Sequence, residues 1–94
     1  MYVTITDLDY YMGERKLKIG QKLTLKKDYD NPYDDEAINA LDDNNKVCGI
    51  VANSIDDVAR GSHSAGYIYN DFDTTCIGTV RFVLDDKAIV EIIE

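Results

Sequence analysis

Short runs in which apolar and polar residues alternate recur along this 94-residue chain, and they constrain its fold more than any other feature. A period of two is typical of strands that bury one face. Clusters of turn-forming residues separate the runs, as at residues 42–45 and at the Asp85-Asp86 pair. The pattern predicts six strands, over residues 3–8, 21–27, 37–41, 46–52, 75–84 and 88–93.

The pattern changes between the fourth and fifth of these strands. Asn53 or Ser54 can cap a helix, and Gly61 is a typical helix terminator. The apolar residues between them share one helical face, which predicts a short helix over residues 54–60. Residues 61–73 are less regular and fit either a loop or a second helical turn. Six short strands with one or two short helices between strands 4 and 5 predict a compact antiparallel barrel or rolled sheet in a single domain, 1–94.

The charge of the chain is strongly acidic and unevenly distributed. The formal net charge is -8, which argues against tight non-specific binding to nucleic acid. Six of the ten basic residues nevertheless fall within residues 15–27, whereas residues 28–43 hold seven acidic residues and no basic one. A solvated hairpin with mixed faces is the simplest interpretation of this segregation.

Neither a membrane segment nor a cofactor is expected. No apolar run approaches the roughly 18 residues that span a bilayer, and the first residues lack the basic and apolar regions of a signal peptide. The cytoplasm is therefore the expected compartment. Cys48 and Cys76 each stand alone in an apolar stretch, which favours two reduced core thiols, with one disulfide between them as the alternative. His63 is the single histidine, so a zinc site lacks ligands.

Catalysis is not expected either. His63 lies between two serines in a predicted loop, and adjacency in sequence does not make a nucleophile–base pair. The acidic residues at 28–36 are dense enough to attract Ca²⁺ or Mg²⁺. Their spacing lacks the glycine and the distant glutamate of an EF-hand, so a solvated acidic face is the preferred interpretation.

The segment from Leu23 to Leu41 carries a more specific signal. A strand leads into Asn-Pro-Tyr-Asp at residues 31–34, and Ala-Ile then opens the next strand. Val-Cys-Gly-Ile-Val follows at 47–51, and a tyrosine pair at 10–11 precedes Gly13. This order resembles the HIRAN domain over nearly the whole chain, and the tyrosines resemble the aromatic pair that ends the family's first strand.

The resemblance implies a small β-barrel, related in shape to OB and SH3-like folds, that binds nucleic acid. In the best understood members the domain holds the 3′ end of single-stranded DNA. By position, Tyr10 and Tyr11 would stack on bases or contact the backbone. Asn31 would hydrogen-bond the terminal nucleotide, Tyr33 would be a base platform, and Asp34 would accept a hydrogen bond from the 3′-hydroxyl. Stacking is worth about 1–3 kcal/mol per base for any sequence.

Three positions depart from the family pattern. Asp9 stands where DNA-binding members carry an arginine, Ile50 where they carry a histidine, and Asp30 where they carry an asparagine. Two cations are thus missing and one carboxylate is added beside the pocket. Lys26, Lys27 or Arg15 could compensate, and the two lysines complete the predicted nucleic-acid-binding set.

The same residues also admit other roles. Asn31 with Pro32 can simply shape the turn, Asp34 can bond nearby backbone N–H groups, and Tyr33 can close one end of the barrel. A protein–protein interaction module without DNA binding is the alternative function. Its contacts would be edge pairing or the basic hairpin, and the acidic net charge favours it.

Overall fold

The alternating runs form six strands in the structure, a computed structural model that describes residues 1–93. The strands pair antiparallel in the order β1-β4-β3-β2-β5-β6 and close into a barrel. The predicted six-stranded antiparallel barrel is therefore confirmed, with strand ends shifted by at most two residues. The strands are β1 (Tyr2–Thr6), β2 (Lys22–Lys27), β3 (Ile38–Leu41), β4 (Val47–Val51), β5 (Thr75–Leu84) and β6 (Lys87–Ile93).

The alternation decides which side chains fill the barrel. Leu23 and Leu25 of β2 are buried inside it with Val3 and Ile5 of β1, and this packing is the main favourable term in the stability of so small a domain. The outward residues of the same strands form rows across the wall. One such row runs through Thr6, Ile50, Asn39 and Lys26, on four neighbouring strands.

Three short helical elements complete the fold. Helix α1 (Leu8–Met12) follows β1 directly, so the predicted first strand ends two residues early and a helix replaces part of the predicted turn. Between β4 and β5 lie α2 (Ala65–Ile68) and the 3-10 helix η1 (Tyr69–Asp71). They confirm the short helices expected between these strands, within the segment that fitted either a loop or a helical turn.

The helix predicted over residues 54–60 is wrong. Backbone N–H groups of this segment bond the carbonyl of Ser54, but they form a single turn that does not continue. The N–H of Ala59, which would extend a helix, instead donates to the buried hydroxyl of Thr4 at 3.0 Å. Ile55, expected on the buried face, is 90% exposed. Hydrogen bonding to β1 therefore replaces the helical ladder in this segment.

A glycine in β4 allows α1 to lie against the barrel. A Cβ added to Gly49 would lie 2.6 Å from Ile5 Cγ2, 2.8 Å from the carbonyl oxygen of Thr6 and 3.1 Å from Leu8 Cδ2. Two of these atoms belong to the end of β1 and one to the first residue of α1. Because a side chain at 49 would push them apart, this glycine positions the tyrosine pair that α1 carries.

Candidate nucleic-acid interface

The loop of residues 28–37, which we call the pocket loop, joins β2 to β3 and is shaped by one asparagine. The Asp28 N–H donates to the Ala37 carbonyl at 2.9 Å and closes the base of the loop. Within it, Asn31 Oδ1 accepts the backbone N–H groups of Tyr33 at 2.8 Å and Asp34 at 3.0 Å. This is the local side-chain turn that Asn favours. It leaves Tyr33 95% exposed, so this ring does not close the barrel end.

Asp34 is oriented by two donors. Its Oδ1 accepts the N–H of Glu36 at 2.9 Å, and its Oδ2 accepts the side-chain amide of Asn53 at 3.3 Å. A carboxylate offers about four acceptor positions, so Asp34, which is half-buried, retains capacity for a further donor. Asn53 also accepts the N–H of Gly66 at 2.9 Å and so satisfies a free donor in the first turn of α2.

Asn53 was missed as a site residue by the sequence analysis. Its amide links the pocket loop to α2, although it is distant from both in the sequence. The sequence marked Asn53 as a helix cap, and it does serve a helix N-terminus, but that of α2 and not of residues 54–60. Gly66 permits the approach, since a Cβ there would lie 2.7 Å from Glu36 Oε1.

The surroundings of the pocket loop are acidic. Burial raises the pKa of the Tyr69 hydroxyl, with further contributions from Tyr29 and then from the carboxylates of Asp35, Glu36 and Asp34. Carboxylate oxygens of the last three lie within 4.8 Å of one another. Ca²⁺ binds six or more oxygen ligands, whereas these three mostly exposed carboxylates supply three. The cluster therefore fits a solvated acidic surface. A nearby phosphate would be repelled by about 1 kcal/mol or more per close charge pair.

The tyrosine pair lies on α1 and not at the end of a strand, which corrects the position that the resemblance implied. Tyr10 is 81% exposed, whereas Tyr11 is half-buried. Their rings meet edge to face, with centroids 4.9 Å apart. Burial is the largest cause that raises the pKa of the Tyr11 hydroxyl. The charges of Asp7, Tyr10 and Asp28 raise it further, in that order. Helix α1 packs against β4, so the tyrosine pair lies beside that strand.

The two candidate lysines differ in direction because they are adjacent on β2. Lys26 is exposed on the outer wall, paired with Asn39 of β3. Lys27 is buried, and its Nζ donates to the carbonyl of Phe72 at 2.7 Å. The ammonium also lies 4.4 Å from the ring centre of Tyr69 and 4.9 Å from that of Phe72. Its charge is therefore directed into the fold, and Lys26 presents its charge to solvent.

The three departures from the family pattern lie on three different elements: Asp9 on α1, Asp30 on the pocket loop and Ile50 on β4. Asp9 and Asp30 are exposed, and the backbone N–H of Asp9 donates to the Asp86 carboxylate at 2.7 Å. Ile50 is half-buried on the outer wall, where it pairs with Thr6 and Asn39. At these three positions the chain therefore offers two carboxylates and one apolar side chain to a phosphate.

Burial keeps both thiols protonated, and the single histidine stacks on a tyrosine. Burial raises the pKa of Cys48 and of Cys76 to about 11, so both are protonated near neutral pH. Both are free thiols. The His63 ring stacks on Tyr67, with centroids 4.1 Å apart. A thiol that stays protonated is a poor nucleophile and a poor metal ligand.

Comparison with protein families matches residues 1–79 of the chain to the HIRAN domain. The match includes α1, the pocket loop and β4, and it ends within β5. No curated protein and no solved structure matches the chain.

Within residues 1–93, no helix is long and apolar enough to cross a membrane.

Proposed function

This chain belongs to the HIRAN domain family, and from that membership we propose that its pocket loop binds the free 3′ end of single-stranded DNA. HIRAN domains are nucleic-acid-binding modules. The proposal adds which part of the strand is bound and which residues bind it. One observation carries it, namely an oriented carboxylate with spare acceptor capacity beside an exposed aromatic ring.

Asp34 has the features that recognition of a hydroxyl requires. Two hydrogen bonds hold its carboxylate in place before any ligand arrives, so little side-chain entropy is lost on binding. A 3′-hydroxyl is a donor and can fill one of its remaining acceptor positions. A hydrogen bond to a charged group is worth about 1.5–3 kcal/mol.

Tyr33 and Tyr10 supply stacking surfaces. Both rings are largely exposed, at 95% and 81%, with Tyr33 on the pocket loop and Tyr10 on α1. Stacking on aromatic rings contributes about 1–3 kcal/mol per base and tolerates any sequence. Asn31 acts indirectly, because it fixes the backbone that carries Tyr33 and Asp34.

The acidity of the loop favours an end over an internal segment. An internal nucleotide would bring a 3′-phosphodiester to the place where the terminal hydroxyl sits, against the carboxylates of Asp34, Asp35 and Glu36. That contact is repulsive, whereas the hydroxyl contact is attractive. The negative charge of the loop weakens binding to an internal segment of DNA, and it thereby favours binding to the 3′ terminus.

The test is a titration with three labelled strands of one sequence at low salt. They carry a free 3′-hydroxyl, a 3′-phosphate, or a free 3′-hydroxyl with a 5′-phosphate. We expect the first and third to bind alike, and the second about tenfold or more weakly, since tenfold corresponds to about 1.4 kcal/mol. Equal affinity for the first two strands would sink the proposal.

Two variants assign the effect to the pocket. Asp34→Asn should lower the affinity for the free end and reduce the discrimination against the 3′-phosphate, because the amide carries no charge. Tyr33→Ala should weaken all strands alike, with an unchanged melting temperature because the ring is exposed. Tyr67→Ala is the matched control, since Tyr67 is also exposed and stacks on His63. If it weakens binding as much as Tyr33→Ala, the pocket assignment is wrong.

We further propose that the chain acts by binding and not by catalysis, in the cytoplasm. The raised pKa of both thiols removes the most nucleophilic candidates at neutral pH. Free thiols are also usual in a reducing compartment. Incubation with single-stranded DNA and Mg²⁺ should leave the strand intact, and any shortened product would contradict this assignment.

Binding to a protein is the second candidate, and an apolar hollow on the outer wall favours it. Tyr2, Phe82 and Ile89 line this hollow together with Arg60, and Phe82 is 59% exposed. Large exposed apolar side chains in contact often mark interaction sites. A protein that co-purifies with the wild type and with Tyr33→Ala, but not with Phe82→Ser, would support this function. Retention by all three would refute the role of the hollow.

A further inference from the structure

The pocket loop is rich in carboxylates, so the attraction for a phosphodiester backbone has to come from another part of the molecule. We propose that the bound strand leaves the pocket loop along the outer face of β2, over a row of lysines formed by Lys26, Lys22 and Lys18. We call this row the basic track. The inference rests on the proposed function, and it specifies where the rest of the strand lies.

The geometry of β2 produces the row. Side chains on a strand alternate between its faces, so Lys22, Thr24 and Lys26 point outward while Leu23 and Leu25 enter the core. At about 3.3 Å per residue, Lys22 and Lys26 lie roughly 13 Å apart along the strand. Lys26 directly precedes the inward-pointing Lys27, after which the pocket loop begins. Lys22 is the first residue of β2, at the other end of the strand.

Two surface hollows continue along this wall. Near the pocket loop, Lys26 lines a groove with Asn39, Leu41 and Asn45, and the loop residues Asp28 and Asp30 also line it. At the other end, Lys18, Ile19 and Lys22 line a second hollow. The ammonium groups can contact the phosphates of single-stranded DNA, and the amide and apolar groups can contact its bases.

The charges of the track are available to a ligand. Lys18 and Lys26 are exposed. Lys22 donates to Thr79 Oγ1 at 2.7 Å, which uses one of its three protons and holds the ammonium at the wall. Asp43 is the acidic residue that lines the hollow of Lys18 and Lys22, so bases outnumber acids there.

A neighbouring segment adds to the positive end of the track. Arg15 is exposed and lies 3.7 Å from the Asp42 carboxylate, a separation that leaves most of its donors free. Hydrogen bonds from the N–H groups of Lys46 and Asn44, with Arg15 nearby, lower the pKa of Asp42, so it stays ionised and balances part of this charge. Ile19 is 70% exposed between these bases, where it can contact a base of the strand.

The track also gives the strand a direction. With its 3′ end in the pocket loop, the strand runs in the 5′ direction from Lys26 towards Lys18. The carboxylates of the pocket loop then select the 3′ terminus, and the lysines of the basic track attract the phosphodiester backbone. The track therefore supplies the positive charge that Asp9 and Ile50 do not.

The test uses the triple variant Lys18→Gln/Lys22→Gln/Lys26→Gln with Arg60→Gln as its control. Arg60 lines the hollow beside Tyr2, on the opposite wall of the barrel. The probe is a strand of about twelve nucleotides, within the range of OB-fold site sizes. Its dinucleotide counterpart is too short to leave the pocket loop and serves as the second probe.

The salt dependence gives the expected magnitude. A single strand contributes a slope of about -0.7 in log K against log salt for each phosphate neutralised. Three lost contacts should therefore reduce the slope by about 2. Between 50 and 200 mM salt the wild type should lose roughly 20-fold more affinity for the long strand than the triple variant does. Arg60→Gln should keep the wild-type slope, and the dinucleotide should bind the wild type and the triple variant alike.

Neutral methylphosphonate linkages locate the contact on the DNA. Placed a few nucleotides from the 3′ end, they should weaken binding to the wild type and have little further effect on the triple variant. Equal losses for both proteins would overturn the basic track. An unchanged salt slope in the folded triple variant would also overturn it, and would indicate that these lysines bind an acidic protein partner instead.

The two proposals fail in different ways. Equal affinity for the 3′-hydroxyl and 3′-phosphate strands, with the slope still reduced in the triple variant, refutes end recognition and supports the track. Discrimination between these ends, with an unchanged slope, supports end recognition and refutes the track. Absence of binding to every strand at low salt refutes both. Circular dichroism of the triple variant verifies that it is folded.

Discussion

Asn31 is expected to maintain the pocket loop, and its replacement by Ala tests that role. The Asn31 side-chain oxygen accepts two backbone N–H groups, at 2.8 and 3.0 Å, and Ala removes the acceptor. Each hydrogen bond contributes about 0.5–1.5 kcal/mol net. Because one of the two donors lies in an exposed part of the loop, we expect a total loss of about 1–2 kcal/mol in the free energy of unfolding.

This loss is large enough to measure in a domain of this size. At about 4–8 °C per kcal/mol, the melting temperature should fall by roughly 4–16 °C. Thermal and urea unfolding followed by circular dichroism give this shift and the free energy. The affinity for a free 3′ end should fall as well, because Tyr33 and Asp34 lose their fixed positions.

Asn31→Asp is the matched control. It retains the acceptor oxygen, so it should recover most of the stability that Asn31→Ala loses. It adds one negative charge beside Asp34, so it should still bind DNA more weakly than the wild type. A melting temperature for Asn31→Ala within error of the wild type would refute the role of these hydrogen bonds. So would equal destabilisation by Ala and Asp.

Three further predictions concern the frame around the pocket loop. Gly49→Ala should destabilise the fold by about 1–3 kcal/mol in urea unfolding, because its Cβ would overlap Ile5 and the Thr6 carbonyl. Gly66→Ala, whose Cβ meets the mobile end of a glutamate, should cost less, and the reverse order would contradict this. Lys27→Met should lower the free energy of unfolding by about 1–3 kcal/mol, through its lost charged hydrogen bond, without changing the salt slope of DNA binding. A reduced slope would mean that Lys27 contacts phosphate. Both thiols should be alkylated with a midpoint near pH 11 in the native protein and near 9.0 when unfolded. Because the folded pKa is the higher, their contribution to stability is constant below pH 9.0 and is lost as the pH rises towards 11. A native midpoint near 9.0 would contradict the burial argument.

The strands were predictable because alternation is a local property of the sequence. The period of two placed Leu23 and Leu25 in the core and the outward lysines on the wall, and the barrel confirmed it. Helix α1 was not predictable in the same way. It has five residues, and it begins after Asp7, which adopts a left-handed conformation with φ of 62° and makes no capping hydrogen bond through its side chain.

The failed helix has a different cause. Ser54 and the apolar residues after it suit a helix locally, but Thr4 takes the N–H that would extend the first turn. Thr4 is distant in sequence and adjacent in the fold, so a local pattern does not contain this competition. The helix forms instead where Ser64 accepts the N–H of Tyr67, a cap that the sequence analysis did not use.

The pocket loop was predictable in identity and only partly in geometry. Asn-Pro-Tyr-Asp marks a turn by its chemistry, and the turn role of Asn31 follows from its side chain. The bond from Asn53 to Asp34 joins segments 19 residues apart, and no spacing rule indicates it. The inward direction of Lys27 follows from alternation, but its partner Phe72 does not.

The central claim is that the pocket loop holds a free 3′ terminus, and an NMR titration tests it most directly. A linear strand and a covalently closed circle of the same sequence are added to labelled protein at low salt. We expect the linear strand to shift the amide resonances of Tyr33, Asp34 and Glu36, whose N–H groups lie in the loop's hydrogen-bond network. The circle, which has no end, should leave these three amides unshifted. Equal shifts from both strands, or shifts confined to residues outside the pocket loop, would contradict the claim.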